Sequence, residues 1–488
     1  MKKLIVYDDS KIGNELVQDV IGNKHFGEIV VKRKSLECYF REFLNKIYLG
    51  DYQWKKLYNE YDIYQIHEIL KRYSAESEIK ILHYFSNHVI TNKSKMEVVL
   101  EKLTYINENI ALMYEQHVVG IMFYNMKSYL DYLNFVSTHH SVEEALEEFH
   151  YEQFLIKGIS NLRKIENLIQ CVTGNFDSRF FNSLQGDDNF ITKCSKNKIK
   201  IKREYTFWQL LPEDMKVWFV QPFNFYEDEK YACYTMKRYH MTDLAIKWVH
   251  GSVEKEEFID ILQYYFLFFN SRHSKEINQV EYDNMKTELY EKKVLNRIFE
   301  LENNPNFKEI EKYVSIGTKY KSLQNILDKY FELKEKLEKG VEPHFESVIG
   351  HGDPCFANTI YNRITRTMLF IDPKGALTEE ELWTNPYYDI AKLSHSVCGL
   401  YDFFNTGLFN ISIKENFQLQ LTIEFDNETY KEIFKKILEK NGYNYNLVRI
   451  YEASLFLSML PLHIDYPYKV LGFLLNAIRI MEEIENAV

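Results

Sequence analysis

The stretch His351-Gly-Asp-Pro-Cys-Phe-Ala-Asn358 interrupts a long run of helical periodicity, and Leu369-Phe-Ile-Asp-Pro-Lys-Gly375 follows it. Asp353 and Asn358 lie five positions apart, and Asp372 ends an apolar run, 367–371, that starts soon after them. Such a run reads as a strand returning beside the loop, which brings a third oxygen ligand to the first two. Phosphoryl transfer asks little covalent chemistry of a protein. It needs a group to orient or deprotonate the acceptor hydroxyl, and ligands that hold magnesium on the phosphates. Asp353 suits the first task. Asn358 and Asp372 offer the hard oxygens that Mg2+ prefers. Each motif alone is common, whereas the ordered set with an apolar strand between its parts is specific.

The pair of segments resembles the aminoglycoside phosphotransferase and choline kinase superfamily. Ile371-Asp-Pro-Lys-Gly375 is similar to the metal-binding segment of its streptomycin-type members, and Tyr387-Tyr-Asp-Ile-Ala-Lys-Leu393 to its downstream Asp-x-Ala helix. The resemblance spans about residues 170–485. It implies a bilobal, protein-kinase-like α+β fold with a small β-rich lobe and a large helical lobe. It further implies ATP and Mg2+ as cofactors, Asp353 as catalytic base, His351 as the loop's structural histidine, Asn358 and Asp372 as metal ligands, and Asp389 as a support for the loop.

Working upstream, 180–184 and 190–194 are β-prone runs flanking a turn at Gln185-Gly-Asp-Asp-Asn189. A helix is expected over 203–211, ending before Pro212, with strands over 217–225 and 230–238. A kinase needs a lysine on a strand of this lobe, paired with a helix glutamate. Lys193 and Glu204 have that order, with Lys196, Lys198, Lys200 and Lys202 as alternatives. The phosphate loop is expected around Gly174 and Ser178, although only one glycine is present there. Met236 falls on a strand that resembles the one leading to an adenine-binding hinge.

Before this lobe the order strand (4–7), helix (10–21), strand (28–32), helix from Ser35 suggests a small α/β unit. Asp8 and Asp9 sit at a strand's carboxyl end, a frequent ligand position in open α/β sheets, and equally a polar turn. A helix over 141–167 is expected to bridge the units. The expected domains are 1–160, α/β and of unassigned role; 161–240, the β-rich lobe; and 241–488, helical with the catalytic loop. Within the last, Thr242 is a candidate helix cap, and long amphipathic patterns run over 257–270, 279–301 and 323–339.

The 488-residue chain has a net charge of −11. That is a poor match to nucleic acid, whose binding depends on clustered cations. Six cysteines without a Cys-x-x-Cys pair point to reduced thiols rather than a disulfide or zinc framework. No segment reaches the ~20 apolar residues of a membrane span, so a cytoplasmic protein is expected. The partner is a small-molecule acceptor. It stays open among an amino alcohol, a sugar and an antibiotic, with acidic residues of 243–339 available to a cationic group. A metabolite or a building block of a capsule or other cell-surface polysaccharide is preferred, because the extra first domain suggests a biosynthetic fusion. A non-catalytic kinase-like module is the alternative, with the first domain doing the work. A protein kinase fits less well, since no Ala-Pro-Glu segment follows Asp372.

Overall fold

The computed structural model describes residues 2–59, 62, 65–66, 70, 79–139, 141–149, 151–173, 182–186, 189–239 and 241–487. The chain divides into two compact units, Met1–Asp177 and Ser178–Val488.

The first unit is built on β1 (Lys2–Asp8), whose Ile5 and Val6 are fully buried. A strand this apolar must be covered on both faces. It is flanked in parallel by β2 (Gln53–Leu57) and β3 (Ile79–Phe85). Two further strands and a hairpin partner complete a six-stranded mixed sheet. One face packs against Phe40, Phe43 and Leu44 of α1 (Leu36–Tyr48), the other against Tyr129, Tyr132 and Leu133 of α2 (Met126–His139). Ser35 caps α1 as its sequence position suggests, accepting from the Cys38 amide at 3.2 Å.

Three local expectations are corrected here. The helix expected from Ser10 starts only at Glu15, capped by Asn14, because the Asp8 carboxylate holds Ser10 in a turn. The strand expected over 28–32 shrinks to Val30–Val31, since Lys32 and Arg33 turn back with positive φ to pair Lys34–Ser35. The long bridging helix over 141–167 does not form. Val142–Glu148 is helical, then Glu152–Leu155 and Ile159–Asn161 are strands paired within the first unit, and Ile165–Val172 is a second helix.

The second unit is an α+β structure with a small β-rich lobe and a large helical lobe. Its small lobe is a four-stranded antiparallel sheet. It consists of β4 (Asn182–Gly186), β5 (Phe190–Ser195), β6 (Pro222–Glu227) and β7 (Ala232–Lys237), in the spatial order β4-β5-β7-β6. The helix α3 (Lys198–Leu210) packs on this sheet. Its start precedes the expected residue 203 because Asn197 accepts from the Lys200 amide and caps it. The strand expected from 217 begins at Pro222, after a short helix at Glu213–Lys216.

Cys194 on β5 and Cys233 on β7 stand opposite one another in register and form a disulfide. The expectation of reduced thiols throughout is thereby corrected. The two are 39 residues apart, and only the strand register brings them together.

The large lobe contains α4 (Leu244–His250), α5 (Lys255–Ser271), α6 (Gln279–Thr287), α7 (Lys293–Glu302), α8 (Leu323–Lys339), α9 (Pro386–Val397), α10 (Tyr445–Met459) and α11 (Pro467–Ala487). Asp243, not Thr242, caps α4, accepting from the Ile246 amide at 2.9 Å. The pattern read over 279–301 holds, with one π-helical turn at Glu288–Lys292 joining α6 to α7. In α5, Phe258, Ile261, Leu262, Tyr265, Phe268 and Phe269 recur at helical spacing and are buried against the loop's strands. Those strands, β8 (Thr359–Asn362) and β9 (Thr367–Phe370), form a hairpin whose open end carries Asn358 just before β8 and Asp372 just after β9.

Candidate active site

The loop between Gly350 and Asn358 is held from below by α9. Asn385 caps this helix and Pro386 opens it, which places Asp389 in its first turn. The fully buried Asp389 carboxylate accepts from the His351 amide at 2.9 Å and the Gly352 amide at 2.8 Å. Arg272, buried at the end of α5, donates to the same carboxylate at 3.2 Å. Gly352 has φ +82, and a Cβ there would stand 2.5 Å from Cβ of Lys374. Glycine thus lets the Lys374 stem lie directly on the loop.

His351 is wholly internal. Its Nδ1 accepts from the Asp353 amide at 3.0 Å, so Nε2 carries the hydrogen and donates to the Ile371 carbonyl at 3.0 Å. Phe219 stacks on the ring. Burial holds the imidazole below its usual pKa, despite the nearby Asp389 and Asp353 carboxylates. Both ring nitrogens are used by the loop itself, which fits a scaffold rather than a proton carrier.

Asp353 projects with 41% of its side chain exposed and meets the Lys392 ammonium at 3.0 Å. Burial would raise its carboxyl, but Lys392 outweighs this and holds it below the ordinary carboxylate range. Asn358 donates from Nδ2 to the Asp353 carbonyl at 2.9 Å. The Ile371 amide donates to the Asn358 carbonyl at 3.0 Å, which sets residue 372 beside the loop. Asp372 has φ +53, so it turns off the end of β9.

From the small lobe, Lys193 reaches across. Its ammonium lies 2.8 Å from Glu204 Oε2 and 2.7 Å from Asp372 Oδ1. Burial would lower this lysine's pKa, yet Asp372 and Glu204 together raise it, and it stays charged. Tyr234 donates to the same Glu204 oxygen at 3.0 Å. Among the alternatives read from the sequence, Lys198 instead pairs with Glu227, and Lys200 approaches Glu204 only at 3.7 Å from the exposed side. Met236 borders a narrow cleft of about 20 Å3 that also includes Tyr234, Phe370 and Asp372. Gly174 and Ser178 lie outside the described residues.

Among the described residues, no three His, Cys, Asp or Glu side chains form a metal-binding group. Magnesium on a phosphate chain needs fewer, because water and phosphate supply most of its six oxygens. Asn358 spends its nitrogen on Asp353 and leaves Oδ1 as a donor, while Asp372 is 35% exposed. A hard, half-open oxygen pair of this kind fits magnesium.

Sequence reading missed Lys392, Arg272, Lys293 and Tyr388. Lys392 had a usable signal, since it lies three residues after Asp389 on one helix and so on the same side. The others come from separate elements. Asp8 and Asp9 are internally partnered: Asp8 with His83 at 3.0 Å and Ser10, Asp9 with the Gly27 amide at 2.8 Å and Lys56 at 3.1 Å.

No protein-family model matches the chain, and no curated protein matches it. Among solved structures it is similar to a thermostable mutant of aminoglycoside phosphotransferase APH(4)-Ia. The apo form is 9% identical, covers 63% of this chain and 94% of that chain, and superposes with a TM-score of 0.35. A ternary complex of that protein with ADP and hygromycin B is 9% identical over 62% of this chain and 94% of that chain, TM-score 0.35. One with AMP-PNP and hygromycin B is 10% identical over the same shares, TM-score 0.34. No helix among the described residues is long and apolar enough to cross a membrane.

Proposed function

We propose that the Ser178–Val488 unit is an ATP- and magnesium-dependent phosphotransferase of the aminoglycoside phosphotransferase and choline kinase superfamily, acting on a hydroxyl of a small molecule. One observation carries this reading. A buried lysine on a β-strand is bonded at 2.8 Å to a helix glutamate and at 2.7 Å to Asp372, beside a loop in which Asn358 is tied to Asp353. Lys193 would neutralise nucleotide phosphates, with Glu204 keeping it charged and aimed. Asn358 and Asp372 would hold Mg2+, which when bound screens the phosphate charge. Asp353 would orient the acceptor hydroxyl and receive its proton. Its depressed pKa is no obstacle, because a loose phosphoryl-transfer transition state demands little basicity. Met236 would border the adenine. The acceptor is a metabolite or polysaccharide building block, and the Met1–Asp177 unit belongs to the same biosynthetic task.

Asp353→Ala tests the reading. The full chain should still bind Mg·ATP calorimetrically, while phosphate transfer falls at least about 100-fold, the lower range for loss of a positioned acid or base. Turnover at the wild-type rate in this variant would overturn the mechanism.

A further inference from the structure

The Cys194–Cys233 bond joins β5 and β7, the two central strands of the small lobe. In this pairing Lys193 stands opposite Tyr234, and Cys194 opposite Cys233. Successive side chains of a strand point to opposite faces of the sheet. The first pair faces α3, where both side chains donate to the same oxygen of Glu204, at 2.8 and 3.0 Å. The second pair lies on the other face, next to the Thr192 and Thr235 hydroxyls, which are 3.0 Å apart. The covalent link therefore sits directly behind the lysine assigned to the nucleotide phosphates.

The two sulfurs differ in access. Cys233 is fully buried, whereas Cys194 is half-buried. From the edge strand β6, the exposed Tyr226 brings its hydroxyl to 4.0 Å from the Cys194 sulfur. The bond is also out of keeping with a disulfide scaffold. Cys38, Cys171, Cys355 and Cys398 are all free thiols. The second unit has large apolar cores of its own, so it has no need of the staples that very small domains require. A single bond among free thiols, with one sulfur open to attack and the other shielded, has the arrangement of a redox-responsive pair.

We propose that Cys194 and Cys233 are a thiol–disulfide modification site that sets the affinity of the small lobe for nucleotide. Oxidised, the bond locks β5 against β7 at the residue next to Lys193 and keeps the lysine in place for the phosphates. Reduced, the sulfurs separate to van der Waals distance. Cys194 turns toward solvent, because Cys233 has no room to move, and the lysine must be ordered when the nucleotide binds. This rests on the phosphotransferase reading above, since it requires Lys193 to meet the nucleotide. The reductant is a dithiol. Its thiolate attacks the Cys194 sulfur, the bond to Cys233 breaks, and Cys233 leaves as a thiolate that takes up a proton. The second thiol of the donor then displaces Cys194 from the mixed disulfide. Two electrons and two protons pass to the protein, and the donor ends as a disulfide. Oxidation by a disulfide donor runs the same steps in reverse.

The test uses the full chain, reduced with dithiothreitol or oxidised with glutathione disulfide. Thiol labelling after denaturation assigns the state: four thiols when oxidised, six when reduced. Calorimetric titration with Mg·ATP should give a Kd roughly 3- to 10-fold weaker in the reduced chain, the cost of ordering one long side chain on binding. Cys194→Ser combined with Cys233→Ser should bind with the reduced-state Kd under both conditions. Hydrogen exchange should rise on reduction in residues 190–195 and 232–237. A merely stabilising bond would shift Tm and leave both Kd and this exchange unchanged, and that result overturns the proposal. So does a redox effect that persists in the double serine variant, or a wild-type chain that labels with six thiols after oxidation. The comparison within the wild type decides alone if the double variant does not fold. Equal Kd in the two states overturns the switch and leaves the phosphotransferase reading standing. Failure to bind Mg·ATP in either state removes that reading, and this inference with it.

Discussion

Asp389→Ala should destabilise the second unit by about 4 kcal/mol, and the size follows from what the carboxylate holds. Arg272 is buried to 1% and donates to Asp389 at 3.2 Å. Removing one partner of a buried ion pair leaves an uncompensated charge and costs about 3–5 kcal/mol. The His351 and Gly352 amides lose their acceptors as well, each worth about 1–3 kcal/mol when water is excluded. These costs overlap, because water entering the vacated space serves all three groups, so their sum is an overestimate. At roughly 2–4 °C per kcal/mol for a large domain, Tm should fall by about 8–16 °C. Calorimetric melting of the full chain measures this, with the transition assigned to the second unit by its shift with Mg·ATP. A second variant separates the causes. Arg272→Met combined with Asp389→Leu removes both charges and refills the volume, which is commonly neutral for a buried pair. It should recover most of the lost Tm, yet phosphate transfer should remain low, because the loop amides still lack their acceptor. A single variant melting within about 2 °C of the wild type would refute the assignment of the loop's stability to this carboxylate. A double variant no more stable than the single one would show that the orphaned guanidinium was not the main cost.

Two further outcomes follow from buried charges elsewhere. Asp402 is buried, and desolvation lifts its pKa from 3.8 to about 7. The folded state therefore binds the extra proton between those values, so stability declines as pH rises through that window and levels off above about 7. The full penalty is about 4 kcal/mol at 1.36 kcal/mol per unit. Asp402→Asn should raise Tm at pH 8, and the gain should vanish by about pH 4; a gain independent of pH would refute the titration. In the first unit, Lys56 lies between the fully buried Asp9 and Glu37, at 3.1 and 2.7 Å. Lys56→Met should cost about 3 kcal/mol in urea unfolding, and adding Asp9→Asn should return most of it; no coupling between the two changes would count against the pair.

Signals carried by local spacing were legible in the sequence. Asp353 and Asn358 sit in one loop, Asp372 ends the adjoining hairpin, and Lys193 and Glu204 occupy neighbouring elements, so a short motif fixes each relation. The amphipathic helices of the large lobe were legible for the same reason, since their apolar stripes repeat within a few turns. The bridging helix over 141–167 failed because tertiary pairing overrode local preference: Glu152–Leu155 pairs with Ile110–Tyr114, and Ile159–Asn161 with His88–Ile90. The Cys194–Cys233 disulfide was invisible because register across a sheet leaves no trace in cysteine spacing.

The lysines around the catalytic loop illustrate the same limit at the site itself. Lys392 meets Asp353 at 3.0 Å, Lys293 donates to the Tyr388 hydroxyl at 2.7 Å, and Lys374 stands 6.0 Å from that ring. The three share no motif, because they lie on separate elements that only packing brings together, whereas Asp353 and Asn358 are related by spacing within one loop.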